Sequence, residues 1–383
     1  MTADNENRIM LLMNSDQNFR LKRQPVAEEA RDRGFDVHVA YPHPEEDRSS
    51  AEKAGFPHHR FPMSRRGLNP IEEAWTVKNL VTLIGEIEPN LVHTLTLKPV
   101  VHGGIAARIC SVPALLSGVT GLGTVFVDGG LGRRLTRIGV QRGLAAAFGH
   151  PNHRCIVQNT DDAEELQAAA GLEEEETNLV PGSGVDIDRF TMSPEPEGPP
   201  VVILPSRMLW DKGIKTFVEA AERLEEEDAR FVLVGDTDPG TPNAVPRVQL
   251  ERWDAEGPVE WWGWQEDMPS VYSRASIVCL PSNYREGVPK ALIEGAASGR
   301  PLVSSEVPGC RDISKHGENG LLAPPGDAEA LAKALRSLLN DPEKRRAMGA
   351  RGRKLVLSSF SLARVVDATV GNYEELLRMQ SAR

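Results

Sequence analysis

The run Ser276-Ile-Val-Cys-Leu-Pro-Ser-Asn-Tyr-Arg-Glu286-Gly-Val-Pro-Lys-Ala-Leu-Ile-Glu294, followed through Gly-Ala-Ala-Ser-Gly-Arg to Pro301-Leu-Val-Ser-Ser305, decides how the second half of the chain folds. Two short apolar runs, SIVCLPS (276–282) and PLVSS (301–305), bracket a helical stretch, which is the pattern of two parallel strands joined by a helix. Pro289 suits a first helical position, so the amides near Gly287 and Val288 are expected at a helix N-terminus, where dipole and free donors attract a diphosphate. Gly287 allows the backbone to approach closely. Glu294, about one and a half turns into the helix, can accept from a ribose diol, which leaves Glu286 beside the group that the diphosphate carries.

The same grammar extends outward in both directions. VVILPS (201–206), a helix after Lys212, RFVLVGD (230–236) and VEWWGW (259–264) complete a second domain. RIMLLMN (8–14), VHVA (37–40), LVHTL (91–95), VPALLSG (112–118) and RCIVQN (154–159), with helical stretches between them, describe a first domain of the same kind. Residues 186–200, dense in Gly, Pro and acids, read as the linker. The predicted architecture is α/β: two Rossmann-like doubly wound domains, 1–185 and 201–357, facing across a cleft. A last helix over about 358–383 is expected to pack back on the first.

Composition narrows the function. At 383 residues the chain exceeds one core, and its net charge of -11 excludes a general nucleic-acid binder. Cys110, Cys155, Cys279 and Cys310 have no metal or redox spacing and read as reduced, buried thiols. No signal pattern or membrane-spanning run is evident, so the expectation is cytoplasmic placement.

An acidic chain needs a local basic pocket to hold a diphosphate. Arg207 and Lys212, in the loop Ser206–Gly213 directly after VVILPS, provide one: a guanidinium fork and a point charge at another strand end of the same sheet. Both are expected to face solvent. Asp236-Thr-Asp238 has the form of an Asp-x-Asp metal motif but sits after a strand, where a loop cap explains it without an ion. Asp161-Asp162 reads as a helix N-terminal cap after Asn159-Thr160. Arg133, Arg134, Arg137 and Arg142 form a basic stretch that suits either anionic lipid headgroups or a solvated helix face packed through Leu135 and Ile138.

Taken together, PSRMLWDKG, VEWWGWQEDMP, CLPSNYREGVPKALIEGAASGRPLVSSEVPGCRDI and ENGLLAPPGD resemble the C-terminal domain of the large retaining glycosyltransferase family 4, of GT-B fold, whose signature is Glu-x7-Glu. VHTLTLKPVVHGGIAAR, SGVTGLGTVF, IVQNTDD and VPGSGVDIDRF resemble a subgroup that builds lipid-linked oligosaccharides and surface polysaccharides. The resemblance covers nearly the whole chain. It implies a hexosyl or N-acetylhexosaminyl transferase using a nucleotide-sugar donor, UDP-linked, with no metal ion or other cofactor. Arg207 and Lys212 then bind the diphosphate, Glu294 the ribose and Glu286 the transferred sugar; Trp264 follows a strand where the family contacts the base, and it either covers the base ring or packs in the core with Trp261 and Trp262.

His93 matches a family position near the donor sugar, and Asn14, Asp16, Lys98, Gly121 and Gly123 are the acceptor-side candidates. The loop Asn14–Arg23 departs from the family: the paired glycines are absent and Lys22 stands where the subgroup has histidine, which puts the acceptor chemistry in question. The partners implied are the donor and a sugar or lipid-linked sugar acceptor, with peripheral contact at the inner face of the membrane and no nucleic acid. A GT-B-fold nucleotide-sugar epimerase, and a non-catalytic nucleotide-sugar-binding partner, are the alternatives.

Overall fold

The structure, a computed structural model, describes residues 7–42, 49–64, 69–123, 131–238, 240–241 and 243–381. Thr124 to Phe126 and the side chain of Arg133, quoted above, lie outside the described residues. The chain divides into two compact units, one of Met1–Ser183 with Val365–Arg383 and one of Gly184–Arg364.

The first unit is a seven-stranded sheet of β1 (Arg8–Leu12), β2 (Asp36–Ala40), β3 (His58–His59), β4 (Leu91–Leu95), β5 (Ala114–Val119), β6 (His153–Val157) and β7 (Thr177–Leu179). Its order is β3-β2-β1-β4-β5-β6-β7 with every pairing parallel. β4 lies at the centre and is buried along its whole length, as a strand covered on both faces must be. Met10, Leu12, Leu80, Ile84 and Val92 form part of one core, and Val100, Leu144, Phe148 and Val157 part of another. The helix Thr160–Ala170 begins where Asn159 Oδ1 accepts from Asp162 N (2.8 Å) and ends at left-handed Gly171, so the N-cap is Asn159 and the two aspartates fall in the first turn.

The second unit is a six-stranded parallel sheet of β8 (Val201–Pro205), β9 (Arg230–Val234), β10 (Glu260–Trp261), β11 (Ile277–Leu280), β12 (Leu302–Ser305) and β13 (Gly320–Ala323). The order β10-β9-β8-β11-β12-β13 reverses between β8 and β11. Doubly wound sheets bind ligands outside the strand ends at such a reversal. The stretch read as a linker is tied to this unit. Arg300 Nη2 donates to Ser193 Oγ (2.6 Å), and Arg353 donates to the carbonyls of Phe190 (2.5 Å) and Ile187 (2.9 Å).

Buried histidines should make the stability of the first unit depend on pH. Burial pushes His58, His59, His93, His102, His150 and His153 below the ordinary histidine value, His153 to about 3. A base depressed on folding stabilises the fold fully above its unfolded value, near 6.5, and loses that contribution as pH falls towards the folded value. Fully buried His93 and nearly buried His153 should each cost about 1.4 kcal/mol one pH unit below 6.5. Urea unfolding of the first unit should therefore shift to lower denaturant between pH 7.5 and 5.5. An unchanged midpoint would show that these rings are protonated in the folded state.

Candidate active site

Two loops meet at the β8/β11 reversal. Glycines bring them together: Gly213 has φ 75°, and a Cβ there would fall 1.8 Å from the carbonyl oxygen of Pro281, so no larger residue fits the approach. Likewise a Cβ at Gly309 (φ 82°) would fall 1.8 Å from the Gly287 carbonyl, which seats the loop after β12 against the Glu286 segment.

This packing places Lys212 Nζ 2.5 Å from Glu286 Oε1. The lysine side chain is 14% exposed, so the expectation that it faces solvent is corrected: the 3-10 turn Trp210–Lys212 turns it inward against the β11 loop. Ser282 Oγ lies 2.8 Å from the same carboxylate oxygen and 3.2 Å from Asp211 O. The Tyr284 ring lies 5.5 Å from the ammonium. Burial opposes the charge on Lys212, but Glu286 and Tyr284 outweigh it and hold the amine protonated above the usual lysine range. Burial also raises Tyr284 and, assisted by Glu286, pushes the Cys310 thiol far up, which makes it an inert neighbour.

Arg207 remains 60% exposed, with Asp238 at 3.4 Å, and Asp236 pairs with Arg247 at 2.8 Å. The two aspartates thus face cations. Among the described residues, no three His, Cys, Asp or Glu side chains are grouped to hold a metal ion.

The helix of the Glu-x7-Glu segment spans Lys290–Ala297, with Pro289 as its N-cap instead of its first residue and no side chain capping it. Glu294, buried, accepts from Tyr272 Oη (3.1 Å) and has Lys290 Nζ at 3.6 Å. Burial raises its carboxyl above the usual range, and Lys290 opposes that rise. Trp264 is 59% exposed, whereas Trp261 and Trp262 pack on the core and are covered by Arg247 and Arg274.

The first-unit candidates are more scattered. His93 is fully buried, with Nδ1 hydrogen-bonded to Tyr373 Oη at 2.7 Å. Asp16, an acceptor-side candidate, has its carboxylate engaged by Tyr41 Oη (2.5 Å) and by Ser50 N and Oγ (2.8 and 2.7 Å). Asn14 accepts from Asn18 Nδ2 (3.3 Å), Lys98 pairs with Glu73 (2.7 Å), and Gly121 and Gly123 have positive φ after β5. Leu135, 63% exposed, and Ile138 are not core residues, and Arg137 pairs with Glu165 at 3.0 Å. Sequence reasoning missed Ser282, although it stands four residues before Glu286, and Tyr284.

The model of the glycosyl transferases group 1 matches residues 188–355, and that of the glycosyl transferase 4-like domain matches 8–148. The chain belongs to the family 4-like glycosyltransferases. This transferase is 27% identical over 336 residues, 84% of its length and 87% of the relative's, to an N,N'-diacetylbacillosaminyl-diphospho-undecaprenol alpha-1,3-N-acetylgalactosaminyltransferase of Campylobacter jejuni. Its fold matches sucrose-phosphate synthase of Thermosynechococcus elongatus (TM-score 0.80, 21% identity, 97% of this chain and 100% of that one). It also matches Anabaena HepE in complex with UDP and glucose (TM-score 0.77, 20% identity, 96% and 99%). The fold is GT-B.

Pairing of Lys212 with Glu286 predicts strong coupling. Lys212→Met and Glu286→Gln each leave a partner unsatisfied and should cost about 3 kcal/mol. The double variant should lose less than their sum by about 1–3 kcal/mol in a urea-unfolding cycle, whereas strict additivity would contradict the pair.

Proposed function

We propose that the transferase moves a hexose or N-acetylhexosamine from a nucleotide diphosphate sugar, of the UDP class, to a lipid-linked or polysaccharide acceptor, retaining the anomeric configuration and needing no metal ion. The observation that carries this reading is the Lys212–Glu286 pair on loops at the reversal of one sheet, with Arg207 on the loop after β8 and Glu294 in the helix that follows β11. Lys212 exchanges its carboxylate partner for the leaving diphosphate, exposed Arg207 folds over the same oxygens, and the helix beginning at Lys290 directs its positive end at them. Glu286, released from Lys212, accepts from hydroxyls of the transferred sugar. Glu294 accepts from the ribose, and Trp264 covers the base.

In the reaction, the acceptor oxygen bonds to the anomeric carbon as the bond from that carbon to the phosphate oxygen breaks. The acceptor proton passes to the departing phosphate on the same face. Cationic side chains stabilise the charge that develops there, which is the largest catalytic effect available to this site. The UDP bound by HepE and the undecaprenyl diphosphate sugar named for the Campylobacter relative support the donor and acceptor classes.

Arg207→Ala should lose about 2–4 kcal/mol of transition-state stabilisation, roughly 30- to 1000-fold in kcat/KM. The assay measures nucleotide release from a UDP-sugar panel with polyprenyl-diphosphate sugars, with the product anomer assigned by NMR. Activity should persist in excess chelator. Near-wild-type turnover of Arg207→Ala, or loss in chelator restored by magnesium, would overturn the site.

Membrane contact is part of the same proposal. No helix among the described residues is long and apolar enough to cross a membrane. The helix Leu131–Phe148 exposes Leu135, Ile138, Arg134 and Arg142, apolar and basic groups together. Each arginine near an anionic surface contributes about 1 kcal/mol. Leu135→Glu with Arg134→Ser should lower co-sedimentation with anionic vesicles at low salt. Equal sedimentation would remove this helix from the membrane contact.

A further inference from the structure

The first unit's sheet reverses its chain order between β1 and β4, the position at which such sheets take ligands. Among the described residues, buried polar atoms without a hydrogen-bond partner gather on the elements that flank this reversal. They are Oδ1 of Asn18 and Nε of Arg23 after β1, Nε2 of His93 on β4, and Oγ1 of Thr96 directly after β4. Thr96 adopts φ 74° and makes no side-chain cap to the helix Leu97–Ile109 that it precedes. A β-branched residue in that region is strained, and such strain persists where the surroundings impose a particular geometry.

Arg23 is the decisive residue. It is only 4% exposed, and among the described residues no carboxylate pairs with it. An unpaired guanidinium inside a protein is costly, so such groups normally carry a counter-charge. It sits at the end of a π-helical turn, Phe19–Arg23, a rare conformation found most often at functional sites. The guanidinium is near enough to His93 and Tyr373 to act on their charges, yet neither supplies an anion. Burial keeps the imidazole neutral and raises the phenol far above its usual value. The acids nearest along the chain are engaged elsewhere: Glu28 accepts from Gln24 Nε2 (2.9 Å), Glu29 pairs with Arg33 (2.8 Å), and Asp16 is held by Tyr41 and Ser50.

We infer that the first unit carries an anion subsite centred on Arg23, at the β1/β4 reversal, which takes a phosphate or carboxylate oxygen of the sugar substrate. His93 and Thr96 add neutral polar contacts beside the charge. The subsite itself follows from the unpartnered groups. Only the naming of its source rests on the transferase reading: the diphosphate of a lipid-linked acceptor, or an acidic group on the donor sugar.

Two matched pairs of probes distinguish these sources by calorimetric binding to the full chain. One pair is UDP-glucuronate against UDP-glucose. The other is a short prenyl-diphosphate N-acetylglucosamine against the same sugar as an alkyl glycoside. Wild type should favour the anionic member of one pair at least tenfold. Arg23→Met should erase that preference, keep UDP affinity within twofold and raise the melting temperature, because an uncompensated buried charge has been removed. Arg23→Lys should retain part of the preference. No preference in wild type, a preference that survives Arg23→Met, or a lowered melting temperature with lost UDP affinity would each overturn the subsite. Wild type that binds no UDP would overturn the donor reading instead, and the prenyl-diphosphate pair and the melting temperatures would still test Arg23.

Discussion

A lysine ammonium and a glutamate carboxylate held 2.5 Å apart and largely out of water constrain the rest of the second unit. Bringing them together requires the loops after β8 and β11 to touch through backbone, which Gly213 against Pro281 achieves, and requires the loop after β12 to close on Gly287, which Gly309 allows. A buried ion pair is a poor source of stability, since desolvation of both charges cancels most of their attraction and an apolar pair of equal volume usually does as well. Its presence at the reversal of the sheet therefore speaks for chemistry. On the proposed reading, Lys212 exchanges its carboxylate for the anionic leaving group, and Glu286, thus freed, accepts hydroxyls.

The surroundings fit that division of labour. Ser282 fixes one carboxylate oxygen, Tyr284 gives the ammonium an aromatic face, and Cys310 beneath them stays neutral because burial raises its thiol so far. Arg207, by contrast, is exposed and, among the described residues, tethered through a surface contact to Asp238, a kind of pair worth little in water. One cation is thus preorganised and the other adaptable, as expected where a ligand must enter before the site is complete.

Much of this was legible in the sequence, because parallel strands buried on both faces leave unbroken apolar runs. SIVCLPS and PLVSS are such runs, and β11 and β12 lie within them. Pro289 marked the helix start to within one residue. The failures have tertiary causes. The inward turn of Lys212 depends on a glycine contact across the sheet, and the Tyr373 hydroxyl on His93 comes from 280 residues away. Two-residue strands such as β3 carry too little periodicity to read. Arg23, quoted within an atypical loop, gave no signal until its burial without a carboxylate was visible.

The most direct measurement is a crystal structure of the protein with UDP bound. The account requires the ribose hydroxyls on Glu294, the diphosphate against Arg207, Lys212 and the start of the Lys290–Ala297 helix, and the Lys212–Glu286 distance longer than 2.5 Å as the lysine turns to phosphate. UDP seated away from the β8/β11 reversal, with Lys212 still closed on Glu286, would contradict it.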